Sequence, residues 1–456
     1  VRIIASPIDT ARQCFDLMAL ETDDDWAVAT ERMTRVPASL ESIEASLRAG
    51  VDQGLVAARR QALACAEQAA TWGGEHGDGA FFRTLAARRP DDAKLAAAAE
   101  VATAGYARLA AFLRDEYAPA ADPRNPVGRE RYTLFARAFN GIELDLEETY
   151  AWGWDELHRI EDTMRRVGER ILPGASIDEV IEHLDRDENR AIEGVEEFRR
   201  WNQGLIDQTI SDLQGTHFDM AAPLLTCEAM IAPPGGAAAM YYTAPTEDFS
   251  RPGRTWYPTM GQTRFPLWKE VSTCYHEAVP GHHLQVAQVV YLADKLSRFQ
   301  RLFGFVSGHG EGWALYAERL MGELGYLEDP GFEMGMLAAQ AMRAVRVVVD
   351  IGMHLELPII AGEPHAGQTW TPELALPFVI GRSRFPEVFM RSEVDRYLGW
   401  PGQAISYKVG ERVWLECRAD AKQRKGAAFD LKEFHTYALD LGSMGLGPLR
   451  DELARF

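Results

Sequence analysis

The chain is 456 residues long, 46% hydrophobic and 25% charged, with a formal net charge of -20. That length provides for a large buried core. Its apolar runs are broken by charge before the ~20 residues that a membrane span needs, and its acidity, with no segment concentrated in Lys and Arg, excludes nucleic acid as the partner.

The five cysteines, Cys14, Cys65, Cys227, Cys274 and Cys417, are scattered, odd in number and never in a CxxC pair. This usage predicts reduced thiols in a cytoplasmic protein. No signal-peptide pattern follows Val1, although a trimmed leader is compatible with that start.

From Asp9 to about Tyr117 the sequence is rich in Ala, Arg, Glu and Leu, and apolar residues recur at helical steps, as in Tyr106, Leu109 and Leu113. Three prolines and a glycine between Pro119 and Gly128 read as a connection. The division expected is a helical N-terminal region, 1–120, and a helical catalytic region, 129–456, forming two lobes of one compact unit. Helical spacing resumes at Leu144 to Ile171, and Ser176 to Glu179 has the S-x-x-E form that caps a helix start. After a Pro233-Pro234-Gly235-Gly236 loop, the aromatic stretches 240–243 and 254–257 flank a turn region and are expected to pair as a hairpin. The fold class expected is mainly α with a small β hairpin or sheet lining a cleft.

Three of the eleven histidines and one glutamate fall within eight residues, at His276, Glu277, His282 and His283. In HExxH helices two histidines four residues apart bind zinc on one face, and the Glu between them is the general base. Here Pro280 stands where the second histidine would be. On an unbroken helix His276 and His282 would be ~120° apart, and His276 and His283 in line but ~10 Å apart. Pro280 removes a helical hydrogen bond and Gly281 permits unusual backbone angles, so a distortion is expected, and either His282 or His283 is the second ligand. Val286, Val289, Val290, Ala293 and Leu296 restore helical periodicity afterwards.

Zinc hydrolases often complete the site with a carboxylate from a following helix. Helical spacing through Ala314, Ala317, Met321 and Leu324, with Gly325 as a stop, puts Glu311 in a first turn and Glu318 two turns later on the same face. Glu311 is the expected ligand. Glu318 is the group expected to orient a histidine. Arg346, Asp350 and His354 form a polar stripe at four-residue steps on an apolar helix, as an internal ion pair or as groups near the site.

These segments together resemble the bacterial proteins grouped under domain of unknown function 885. The resemblance rests on HEAVPGHHLQ at His276 to Gln285, EGWALYAERL at Glu311 to Leu320, RVVVDIGMH at Arg346 to His354, RYLGWPGQAISYKVG at Arg396 to Gly410 and the C-terminal LKEFHTYALDLGSMGLGPLR. That family in turn is similar to helical zinc carboxypeptidases of the thermostable Taq type, with HExGH and a later Glu ligand, and to dipeptidyl peptidase III, with HExxGH. The resemblance implies a zincin-like metallopeptidase fold. Aligning on Gly-His implies His282 as the second ligand and His283 as a substrate or transition-state contact. It also raises Tyr407 to the expected oxyanion donor, ahead of Tyr397 and Arg396.

The expected activity is hydrolysis of peptide (amide) bonds with one Zn2+ held by His276, His282 and Glu311 and with Glu277 as general base, in a carboxypeptidase-like enzyme. Tyr242 and Arg254 on the hairpin are expected to hold an extended substrate, and Arg346 or Arg254 to meet a free carboxylate. A metal-dependent amidase for small amides, or an inactive helical metal-binding protein, are the competing expectations.

Overall fold

In the computed structural model, which describes residues 1–16, 18–77, 79–232 and 239–456, helix accounts for 65% and strand for 6% of the chain, so the mainly helical reading holds. The Pro233–Gly236 loop lies outside the described residues. Two compact units are formed.

The first comprises Val1–Val127 and Arg391–Trp400. Its principal helices are Asp23–Asp52, Arg59–Trp72 and Ala93–Ala111. Buried alanines on the latter two, among them Ala62, Ala66, Ala69, Ala98, Ala99 and Ala102, let helix backbones approach closely around Tyr106 and Phe82. The return of Arg391–Trp400 to this unit is a tertiary event that no local periodicity announces.

The second unit comprises Gly128–Met390 and Pro401–Phe456. The helix expected over 144–171 runs Leu146–Ile171, its start set by Asp145, which accepts from Glu148 N. Ser176 and Glu179 form the expected capping box. Pro330–Leu355 is the central helix and is buried on all sides through most of its length, in keeping with its mostly apolar sequence, so its polar residues must find partners inside the fold. It packs on Leu146–Ile171, where Gly153 leaves room for Val347 and Val348. A second close crossing joins Ser307–Glu323 to Ser406–Lys425: any Cβ on Gly312 would overlap the backbone of Gly410. Gly312 follows Glu311 and Gly410 lies three residues after Tyr407, so this glycine pair sets the spacing between two elements expected at the site.

The aromatic stretches do pair. Tyr241–Thr243 runs antiparallel to Gly253–Tyr257, with Tyr242 opposite Thr255. A third strand, Cys227–Ile231, joins in parallel on the other side of Gly253–Tyr257. Ala191–Glu193 and Arg264–Pro266 form a separate antiparallel pair. Among the described residues no helix is long and apolar enough to cross a membrane.

Candidate metal centre

The histidine segment begins as the helix Glu270–Glu277, stops, and restarts as His282–Tyr291. Ala278 leaves helical space at φ -97° and ψ -121°, and a cis Val279–Pro280 peptide follows. The break keeps its backbone satisfied through unusual bonds: Gly281 N–H donates to Tyr275 O at 3.0 Å and His283 N–H to Ala278 O at 3.0 Å. Gly281 is required for room, because a Cβ there would overlap the carbonyls of Tyr275 and His276. The Trp313 indole closes the turn by donating to Pro280 O at 2.8 Å.

This break turns His282 back toward His276. Their rings meet edge to face with centroids 4.8 Å apart. Glu311 completes the group: its Oε2 lies 3.5 Å from His276 Nε2 and 3.3 Å from His282 Nε2. One ligand atom from each of His276, His282 and Glu311 falls within 4.8 Å of the others. The helix carrying Glu311 begins at Ser307, so Glu311 sits in its second turn and not in the first. The His282 helix ends at Tyr291, short of Ala293 and Leu296, which were expected to extend it.

Glu318 lies behind the group. Its Oε1 is 2.8 Å from His276 Nδ1, and Ser272 donates to its Oε2 at 2.5 Å. A carboxylate only accepts, so His276 donates from Nδ1 to Glu318 and turns its Nε2 toward Glu311. Burial alone would lower the His276 pKa, but hydrogen bonds to Glu311 and Glu318 raise it to about 9. Burial also opposes ionisation of Glu311, yet His282 and His276 hold that carboxyl well below its usual range. Glu277 differs. It is buried, its Oε2 has no hydrogen-bond partner among the described residues, and burial raises its pKa against the pull of His276 and His282.

The Tyr407 ring lies nearly parallel to that of His276, at 6.4 Å between centroids and 19° between planes. Over the Tyr407 ring stand two guanidiniums, Arg346 at 4.5 Å and Arg343 at 5.9 Å. Arg343 also lies 3.6 Å from Glu318. On the other ligand, the half-exposed Phe305 ring is 6.5 Å from that of His282.

Other expected residues serve elsewhere. His283 is fully buried with both ring nitrogens engaged: Nε2 lies 2.9 Å from Leu224 O and Nδ1 3.0 Å from the Tyr242 hydroxyl. The carbonyl must accept, so Tyr242 donates to Nδ1, and the pair braces the sheet against the His282 helix instead of presenting polar atoms to a substrate. Gly253 makes room for it, since a Cβ there would meet both Tyr242 and His283. Burial pushes His283 down to about 4. Arg254 donates to Glu228 at 2.7 Å on the central strand. Tyr397 belongs to the first unit, buried, donating to Glu393 at 2.9 Å. Asp350 accepts from Tyr132 Oη at 2.8 Å and Gly402 N at 2.9 Å, and His354 Nε2 lies 3.7 Å from it. Here the polar stripe is an internal brace.

The model of the family described as "Bacterial protein of unknown function (DUF885)" matches residues 1–453. The chain belongs to this family. No curated protein matches it. Among solved structures, the DUF885 chain is similar to "the putative lipoprotein from Colwellia psychrerythraea", with a TM-score of 0.84 and 24% identity over 98% of this chain and 78% of that one. It is also similar to "a putative lipoprotein of unknown function from Shewanella oneidensis", with a TM-score of 0.66 and 19% identity over 97% and 81% of the two chains. These likenesses establish a shared fold.

Four residues of this DUF885 site escaped the sequence reading: Ser272, Phe305, Trp313 and Arg343. Arg343 was discernible, three residues before Arg346 and on the same helical face. Trp313 lay inside the EGWALYAERL segment as an unremarked aromatic. Ser272 and Phe305 carry no local signal, because their role depends on which helices meet.

Proposed function

We propose that the protein is a zinc-dependent hydrolase of peptide (amide) bonds, carboxypeptidase-like, with a zincin-like site related to that of the Taq-type carboxypeptidases. What carries the reading is the convergence of His276, His282 and Glu311 beside Glu277, a buried carboxylate with one oxygen unpartnered among the described residues. The donor set fits zinc: with each donor ~2.1 Å from the ion, tetrahedral ligand atoms stand ~3.4 Å apart, beside the 3.5 and 3.3 Å found from Glu311 to the two histidines. Zinc, when bound, polarises the scissile carbonyl and acidifies water.

The chain's own residues supply the rest. Glu277 takes the proton of the attacking water and returns it to the leaving amine. Glu318 holds the tautomer of His276. Tyr407, stacked beside His276, is the proposed donor to the developing oxyanion. For a free substrate carboxylate we favour Arg346, which stands over the Tyr407 ring with Arg343 beside it. For location we propose the cytoplasm on the strength of five free thiols. Cell fractionation tests that against a membrane-anchored form, as the neighbours' lipoprotein descriptions would favour.

The test is Glu277→Gln assayed on a panel of blocked and free peptides. Zinc content should stay at one ion per chain while hydrolysis falls by about 10²–10⁴-fold. Unchanged hydrolysis with zinc retained would remove Glu277 from the mechanism.

A further inference from the structure

Of the twenty phenylalanines in the chain, three are exposed among the described residues, and all three fall within seven positions: Phe299, Phe303 and Phe305. Leu302, between them, is exposed as well. Such a concentration of apolar surface is uncommon on a folded chain and marks a place where something apolar docks. Phe299 and Phe303 stack on each other on the short helix Arg298–Leu302 and its cap, with centroids 6.3 Å apart.

Phe305 ties this strip to the metal-ligand group. Phe305 is 53% exposed, yet its ring packs 6.5 Å from the His282 ring and lies directly on Gly310, the residue before Glu311. A Cβ at Gly310 would overlap the phenyl ring. Gly310 sits inside the helix Ser307–Glu323 without a positive φ, so its backbone conformation gives no reason for glycine, and glycine there costs helix stability. The ring supplies the reason. The chain gives up a side chain on the Glu311 helix so that a solvent-facing phenyl can lie against the elements carrying two of the three expected ligands.

We propose that Phe305 is a specificity-determining residue: it forms the wall of an apolar subsite for the substrate side chain that borders the scissile bond, with Phe303 and Phe299 extending that surface. The inference rests on the hydrolase reading above. Cationic Arg343 and Arg346 gather at Tyr407, which adjoins His276, whereas Phe305 adjoins His282. The two subsites thus flank different ligands. A substrate whose free carboxylate meets the arginines presents to Phe305 the residue on the amino side of the bond that is cut, and that residue is an aromatic or large aliphatic one.

The experiment uses the full chain carrying Glu277→Gln, loaded with zinc, so that peptides bind without turnover. Two peptides with free carboxyl termini, identical but for Phe or Asp at the penultimate position, are titrated by calorimetry. The Phe peptide should bind about tenfold more tightly, the scale on which an apolar pocket discriminates. Adding Phe305→Ala should bring the two affinities together, and Phe305→Leu should keep most of the difference. Zinc affinity, read by competition with a chromophoric chelator, should be the same in all three proteins. Equal affinities before the Phe305 change, a preference that survives Phe305→Ala, or no binding of either peptide would each overturn the subsite. The hydrolase reading fails separately: if the preference appears and is lost as stated but the unmodified protein cleaves neither peptide, the subsite stands and the activity does not. Cleavage of both peptides with equal efficiency removes the subsite alone.

Discussion

Trp313 Nε1 donates to the carbonyl of Pro280 at 2.8 Å, so the helix that carries Glu311 also ties down the turn that aims His282. Both groups are buried, and Pro280 lies between the two helices, where its carbonyl has no intrahelical partner. Trp313→Phe keeps most of the apolar volume and removes the donor. Zinc affinity should fall by about tenfold or more, the range found when groups that orient ligands are lost. Chelator competition measures it, and an unchanged affinity would show that the turn holds its shape without Trp313.

Gly281 constrains the same turn from the inside. A methyl group at this position would collide with the carbonyl oxygens of Tyr275 and His276, both backbone atoms with little freedom to yield. Gly281→Ala should therefore displace His276 or His282, abolish stoichiometric zinc binding, and destabilise the protein by ~1–3 kcal/mol, as overpacking does. Gly325→Ala is the control: its φ is +90°, so it too is strained, but it lies past the end of the Glu311 helix and should leave zinc binding intact. Metal analysis and thermal unfolding of the two variants decide the matter. Equal zinc content in both would mean that the backbone accommodates the methyl.

Much of this site could be read in the sequence, and the missing parts share a cause. His276, Glu277, His282, Glu311 and Glu318 belong to elements whose local pattern is strong: a histidine cluster with a proline that must break a helix, and a helix that puts two glutamates seven residues apart on one face. The family pattern carried the preference for His282, because the residues themselves left His283 open. Tyr242, Arg254 and Asp350 illustrate the limit. Polar residues on apolar elements must find partners when buried, and here the partners are His283, Glu228, Tyr132 and Gly402, supplied by segments far away in the chain. Tyr397 shows the same limit: the segment Arg391–Trp400 belongs to the first unit, and there Tyr397 donates to Glu393.

Glu318 tests whether the orienting carboxylate matters through its charge or only through its shape. Glu318→Gln retains an acceptor for His276 Nδ1 but removes the charge that Arg343 and His276 hold ionised against burial. Zinc affinity should fall by about 10–100-fold. Glu318→Ala should fall further and also cost stability, because Ser272 and Arg343 lose a buried partner. If the Gln variant binds zinc as tightly as the unmodified chain, hydrogen-bond geometry alone positions His276.

A pH effect on stability comes from His435, away from the metal ligands. It is buried beside Tyr316, whose hydroxyl accepts from Arg418 at 3.0 Å and so gives its own proton to His435 Nε2 at 2.7 Å. Burial, with Arg418 and His217 adding to it, pushes the imidazole down to about 3. Glu323 pairs with Arg418 at 2.8 Å and blunts only part of that cationic field. The unfolded chain takes up its proton near pH ~6.5. Between about 3 and ~6.5 the unfolded state therefore binds more protons than the folded one, and stability is lost as pH falls, by at most ~1.4 kcal/mol per pH unit from this group. Thermal unfolding at pH 7.5 and 5.0 should show the drop, and His435→Gln, although less stable at pH 7.5, should show a smaller one. A drop of the same size in both proteins would mean that other groups carry the acid sensitivity.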